Sequence, residues 1–193
     1  MTAAGTPVAG LHRSRFSTGP ATLGPYHDHS KMDLLEAKSR VAEALVESIF
    51  RRARYEVERY RGEQPPLRWG REDFSPDFLV RLPGPSGEPL ELLVEVKYRP
   101  SVEQFISVEN QRGERSVFLM ARRQWPQLYF VLVTDRPEPS RSCFQVLPFG
   151  EIKPDQPFRT VDLDQLKELS IFRNNMEDHE ELVRRIMGLL ASA

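Results

Sequence analysis

Two stretches in the middle of the chain decide the fold: FSPDFLVRL at residues 74–82 and LELLVEVKY at residues 90–98. Both are mostly apolar with charged side chains at alternate positions, which is typical of strands. The segment between them, PGPSGEP at residues 83–89, consists of residues that form turns. We therefore predict an antiparallel hairpin in which Leu79 faces Leu93 and Arg81 faces Glu91.

This register brings three charged side chains together. Asp77 faces Glu95, and Lys97 lies two residues further along on the same face as Glu95. Opposed carboxylates repel each other unless they share a proton, a neighbouring cation or a bound metal ion. A buried ion-pair cluster without chemistry is the alternative. We interpret the cluster as a metal-dependent site that cleaves phosphodiesters, because buried charges at this density usually serve a function.

A helix predicted over residues 40–54 could cover this site. Its apolar residues recur at helical spacing and form one stripe. Glu43 lies at the margin of the stripe, whereas Glu47 lies further toward solvent. A carboxylate at that margin can reach a site on the sheet below, although an ordinary surface glutamate gives the same pattern. The alternating segment 55–60 is the first predicted strand.

The order of these features resembles the PD-(D/E)xK nuclease superfamily, and the spacing is most similar to its Holliday-junction-resolvase branch. The resemblance covers about residues 40–147, with Arg54 standing where that branch usually carries glycine. It implies a restriction-endonuclease-like fold, an α/β fold with a mixed central sheet flanked by helices in the order α-β-β-β-α-β-β. The motif residues are Glu43 on the helix, Tyr55 at the first strand, Pro76 and Asp77 on the second, and Glu95, Val96 and Lys97 on the third.

The resemblance also implies an activity, namely a Mg²⁺- or Mn²⁺-dependent DNA nuclease, most simply an endonuclease, acting in repair, recombination or defence. Asp77, Glu95 and the carbonyl of Val96 would bind the metal, which suits hard cations that prefer oxygen ligands. Lys97 would contact the attacking water or the phosphate, and Glu43 would assist a second metal or orient the helix. A catalytically inactive member that binds DNA or protein is the alternative.

The charge of the chain neither favours nor excludes a nucleic-acid partner. The 193 residues carry a formal net charge of −1, yet of the 27 basic side chains only five are lysine. Arginine suits phosphate recognition, but a GC-rich genome produces the same bias. Candidate nucleic-acid contacts are Arg51, Arg99, Arg112 and Arg115.

The remaining sequence suggests a tail, a core and an extension. Residues 1–30 predict a flexible tail in which His27, Asp28 and His29 form a weak metal-like cluster. Residues 31–150 would form the nuclease-like core. Residues 151–193 would form a helical extension, with helices at 163–169 and 177–190, and a homodimer through it is left open. With a single cysteine, Cys143, and no apolar run of about 20 residues, a cytoplasmic protein without a membrane partner is expected.

Overall fold

The computed structural model describes residues 34–69, 72–83, 89–148, 150, 152–153 and 155–192. The predicted tail at residues 1–30, with His27, Asp28 and His29, lies outside the described residues, as does most of the hairpin turn, 84–88. None of the described helices is long and apolar enough to cross a membrane.

The described chain forms an α/β fold around a mixed sheet of six strands. The sheet has the order β1-β4-β5-β6-β7-β8, in which β5 and β6 are parallel and all other neighbours are antiparallel. Two further strands, β2 and β3, form a separate hairpin. The bounds are β1 Glu56–Arg59, β2 Leu67–Trp69, β3 Glu72–Phe74, β4 Phe78–Leu82, β5 Leu90–Tyr98, β6 Leu128–Val133, β7 Phe144–Val146 and β8 Val161–Asp162.

The predicted hairpin register is confirmed along the paired part of β4 and β5. Leu79 pairs with Leu93 and Arg81 with Glu91, and the last pair toward the predicted site is Phe78 with Val94. The predicted pairing of Asp77 with Glu95 is wrong at the backbone level. β4 begins only at Phe78, and the amide of Asp77 donates to the carbonyl of Val94, one residue short of Glu95. Asp77 therefore lies beyond the end of the ladder.

Helices cover both faces of the sheet. On one face, α1 (Leu34–Arg52) and α4 (Arg173–Ala191) pack over side chains that include Val80, Val94 and Val131. On the other face, α2 (Val102–Arg112) and α3 (Val117–Gln124) pack over the alternate side chains of β6. Every residue of β6 is buried, as the uninterrupted apolar run at 128–134 predicts for a strand with both faces covered.

Several elements differ from the order α-β-β-β-α-β-β. The predicted order lacks the β2–β3 hairpin, the short edge strand β8 and α2, which replaces the helical turn or loop expected at 101–110. Ser101 explains the start of α2, because its side chain caps the helix by accepting from the amide of Gln104.

The predicted C-terminal helices also need correction. Residues 163–169 form two 3₁₀ turns, Leu163–Gln165 and Lys167–Leu169, rather than an α-helix. The last helix begins at Arg173 instead of 177, and its Met176, Val183 and Met187 enter the same core as α1. The C-terminal segment therefore shares the core of the sheet.

The end of α1 contains a strained residue. Arg54 has a φ angle of 67°, in the left-handed region that favours glycine. This position follows the last turn of α1 and precedes the buried Tyr55, so the chain needs a left-handed residue to leave the helix. Arg54 therefore occupies a glycine-type backbone position without being glycine, at the position where the resemblance expects glycine.

Candidate active site

A cleft of about 820 Å³ opens at the end of the sheet where β1 ends and β4 begins. The first turns of α1 form one wall, and the end of β5 runs past β4 into the cleft. Acidic and basic side chains both line it. The lining residues are Leu35, Glu36, Ser39, Arg40, Glu43, Arg59, Asp73, Asp77, Lys97 and Arg99.

Asp77 reaches this cleft because β4 begins only after it, at Phe78. β5 continues without a β4 partner beyond Val94, which leaves the amide of Val96 facing open space on that side. The Asp77 carboxylate fills the gap, since the Val96 amide donates to Oδ2 at 2.7 Å. Burial raises the pKa of Asp77 to about 6, and the negative charge of Glu43 raises it as well, against the lowering effect of the Val96 hydrogen bond. The carboxylate is thus held in a fixed position at an electrostatic cost.

Glu95 lies deeper than Asp77. Its side chain is only 1% exposed, and Oε1 lies 2.7 Å from the Lys97 Nζ. The other oxygen, Oε2, is buried and has no hydrogen-bond partner within the described part of the chain. Burial raises the pKa of Glu95 well above its ordinary value, and the charge of Asp77 adds to this effect while Lys97 opposes it. Lys97 therefore compensates the buried Glu95, while Lys97 and Arg59 both lower the pKa of the half-buried Asp77.

Lys97 lies between the buried Glu95 and the cleft. Its side chain is 19% exposed, and its Nζ lies 4.4 Å from the centroid of the Phe74 ring. The ring face attracts the ammonium group and helps to hold it beside Glu95. The sequence prediction that Lys97 and Glu95 share one face of β5 is confirmed by this contact.

Glu43 lies on the opposite wall and contacts a residue that sequence reasoning missed. Its carboxylate is 13% exposed, against 30% for Glu47, so the predicted order of exposure is confirmed. Glu43 Oε2 lies 2.7 Å from Nη1 of Arg59, whose guanidinium also stacks over the Phe78 ring at 4.6 Å. Arg59 is the last residue of β1, and its partner lies 16 positions away on α1. Local sequence contains no signal for that pair.

The four candidate arginines do not lie together. Arg99 lines the cleft and stacks over Phe105 at 4.4 Å. Arg51 instead bonds to Glu47 and to the Val57 carbonyl, Arg112 approaches Glu109 at 3.6 Å, and neither they nor Arg115 line the cleft. Arg40 and Arg59 take their places at the cleft wall. The spacing of basic residues along the chain did not indicate which of them face the site.

The donors fit a hard divalent cation, although no preformed multi-acid cage is present. Among the described residues, no three His, Cys, Asp or Glu side chains converge in the arrangement of a metal site. The predicted set is smaller, with two carboxylates and the Val96 carbonyl. That carbonyl faces the same side of β5 as the Val96 amide, toward Asp77. Because Mg²⁺ keeps several of its waters and is usually bound by one or two carboxylates, a donor set of this size suits it. The buried Oε2 of Glu95 has no hydrogen-bond partner among the described residues.

Comparison of the chain with known proteins found no match. No family model matches the chain, and neither a curated protein nor a solved structure is similar to it.

Proposed function

We propose that the chain is a divalent-metal-dependent nuclease that hydrolyses phosphodiester bonds in DNA, with a restriction-endonuclease-like fold of the PD-(D/E)xK type. The observation that carries the proposal is a pair of carboxylates with raised pKa values, the buried Glu95 beside Lys97 and the half-buried Asp77 that lines an open cleft. A fold retains two acids with raised pKa values at a cost to stability, which argues for a role in chemistry.

The metal would be Mg²⁺ or Mn²⁺, held by Asp77, Glu95 and the Val96 carbonyl. When bound, such an ion lowers the pKa of its water and neutralises charge on a phosphate. It would also relieve the repulsion that raises the pKa of Glu95. The oxygen donor set favours these hard cations over Zn²⁺, which prefers histidine and cysteine.

The side chains around the metal have separate roles in this proposal. Lys97 presents a cation beside Glu95 and would bind the scissile phosphate or the attacking water. Arg59 holds the Glu43 carboxylate in place on the α1 wall. Arg40 and Arg99 would contact flanking phosphates, since both line the cleft. In this proposal the basic side chains that line the cleft hold an anionic backbone across Asp77.

A DNA-binding or protein-binding module without catalysis is the second candidate. It is favoured by the ion pairs that already occupy the site: Lys97 with Glu95, and Arg59 with Glu43, both at 2.7 Å. In that case these ion pairs would stabilise the fold and take no part in catalysis. A cytoplasmic location and a homodimer remain predictions on either reading.

A cleavage panel tests the proposal. Linear, nicked, branched and single-stranded DNA, with RNA in parallel, are incubated with the protein in Mg²⁺, Mn²⁺ or EDTA. We expect cleavage of at least one DNA with metal, none in EDTA, and none with Asp77→Asn or Glu95→Gln. Glu91→Gln is the matched control, because Glu91 lies on the same strand at an exposed ion pair. DNA binding without cleavage under every condition would support the binding module instead.

A further inference from the structure

A second cavity of about 430 Å³ adjoins the candidate active site. Leu35 lines both spaces, and successive residues of β5 and its continuation alternate between them. Lys97 and Arg99 line the cleft, whereas Tyr98 and Pro100 line the cavity. The two spaces therefore lie on either side of the end of β5 and meet at Leu35.

The walls of the cavity are apolar and its base is polar. Leu34 and Leu35 are 46% and 45% exposed, which is unusual for leucines on a helix that otherwise buries its apolar side chains. Pro100 forms another part of the wall. Flat apolar surfaces of this kind suit the face of an aromatic ring, and the volume falls within the usual range for small-molecule sites.

Three buried polar side chains converge at the base. Lys38 donates to the Tyr98 hydroxyl at 3.1 Å, and that hydroxyl donates to Oδ1 of Asp135 at 2.7 Å. The Lys38 ammonium also lies 3.8 Å from Oδ2 of Asp135, and both side chains are about one-tenth exposed. The triad thus places a cation and a carboxylate side by side, and the edge of a nucleobase presents the matching acceptors and donors.

We propose that this cavity binds one unpaired nucleobase next to the scissile phosphate, so that the preferred substrate carries an unpaired or extruded nucleotide at the cut. The inference rests on the proposed function. The base lies against Leu34, Leu35 and Pro100, with its polar edge toward Asp135 and Lys38. Extruding a base costs least where it is already unpaired, which directs the enzyme to branched, mismatched or single-stranded DNA.

An abasic scan tests the proposal with the full chain. The DNA of the panel that binds most tightly is remade with an abasic nucleotide at each position in turn, and its affinity is measured in EDTA by fluorescence anisotropy. We expect one position, adjacent to the junction, at which base removal weakens binding by about 5- to 100-fold. That penalty should vanish in Leu34→Ser and in Asp135→Asn. It should persist in Leu90→Ser, a matched control because Leu90 is 44% exposed at the far end of β5.

The outcomes separate the subsite from the nuclease. Metal-dependent cleavage with equal tolerance of every abasic position overturns the subsite and leaves the nuclease intact. One sensitive position without cleavage in any metal supports the subsite and overturns the nuclease. No binding to any DNA overturns both. A loss of thermal stability without DNA that is far larger in Leu34→Ser than in Leu90→Ser also overturns the subsite, because the cavity wall would then pack against the protein itself.

Discussion

The β4–β5 hairpin carries a charged cluster at each end, and the two differ in how their charges are balanced. Near the turn, Arg81 contacts Glu91 at 2.5 Å and Glu58 at 3.0 Å, in partly exposed surroundings. At the other end, Glu95 is buried against Lys97, Asp77 is half-buried, and Glu95 Oε2 has no partner among the described residues. The first cluster follows from the paired register, whereas Asp77 of the second lies beyond the end of the ladder. Burial makes the second cluster costly, and acids with raised pKa values mark a candidate functional site.

The largest functional difference between the two ends of the hairpin is expected when Lys97 is removed. Lys97→Ala is expected to lower DNA cleavage by about 10²- to 10⁴-fold, the usual effect of losing a positioned catalytic group. Mn²⁺ binding should be retained, because Lys97 supplies no metal ligand. Most DNA affinity should also be retained, because Arg40 and Arg99 would still contact the flanking phosphates. Single-turnover cleavage and calorimetry measure the two effects, with Arg81→Ala as the control. If Lys97→Ala and Arg81→Ala retain equal activity, the two ends are functionally alike.

A bound metal ion should stabilise the protein only when Asp77 and Glu95 are both present. A divalent ion that binds the native state at about 100 times its Kd adds about 2.7 kcal/mol to the free energy of unfolding. Mn²⁺ should therefore raise the Tm of the wild type and of Glu91→Gln. It should not raise the Tm of Asp77→Asn or Glu95→Gln. An equal rise in all four proteins would place the ion elsewhere and remove the metal assignment.

Without metal, the acidic end should make the protein less stable as pH rises. The pKa of Asp77 is about 6 in the folded protein, against an ordinary value of 3.8, so the unfolded chain loses this proton first. The folded state is thus favoured below about pH 4, and that advantage is lost as pH rises through 6. In EDTA at pH 8, Asp77→Asn should be more stable than wild type by about 1–3 kcal/mol. Urea unfolding at pH 4 should show no such gain, and a gain at both pH values would indicate a cause other than charge.

Replacing Arg54 should also stabilise the protein, but by relieving backbone strain rather than by removing a charge. Arg54→Gly should stabilise the protein by about 0.5–1 kcal/mol, because glycine adopts the positive φ of this position without a steric penalty. The gain should be independent of pH, unlike that of Asp77→Asn. Ala53→Gly is the control and should destabilise, since the Ala53 amide still donates to the Ile49 carbonyl. Chemical unfolding at two pH values measures both.

The smallest effect is expected at the turn end of the hairpin. Glu91→Gln leaves Arg81 its contact with Glu58, and exposed ion pairs contribute little to stability. Its unfolding midpoint should match that of the wild type at low and high salt. A loss above about 1 kcal/mol would show that exposure does not distinguish the two clusters.

The sequence by itself determined the features that depend on local patterning. Alternating apolar residues and the turn at 83–89 set the register from Phe78 to Leu82, because a slip of one residue would expose the buried face. The same periodicity placed Glu95 and Lys97 on one face and predicted the fully buried β6. It also ranked Glu43 as less exposed than Glu47 on α1.

The completion of the site depends on packing between distant segments. β4 begins at Phe78 and leaves out Asp77, so the Asp77 carboxylate, rather than a strand, satisfies the Val96 amide. Arg59 and Arg40 reach the cleft while Arg51 and Arg112 do not, because contacts between distant segments depend on how the helices pack on the sheet. The pKa values of Asp77 and Glu95 arise in the same way. Burial is a property of the packed chain, and no pattern of neighbouring residues encodes its depth.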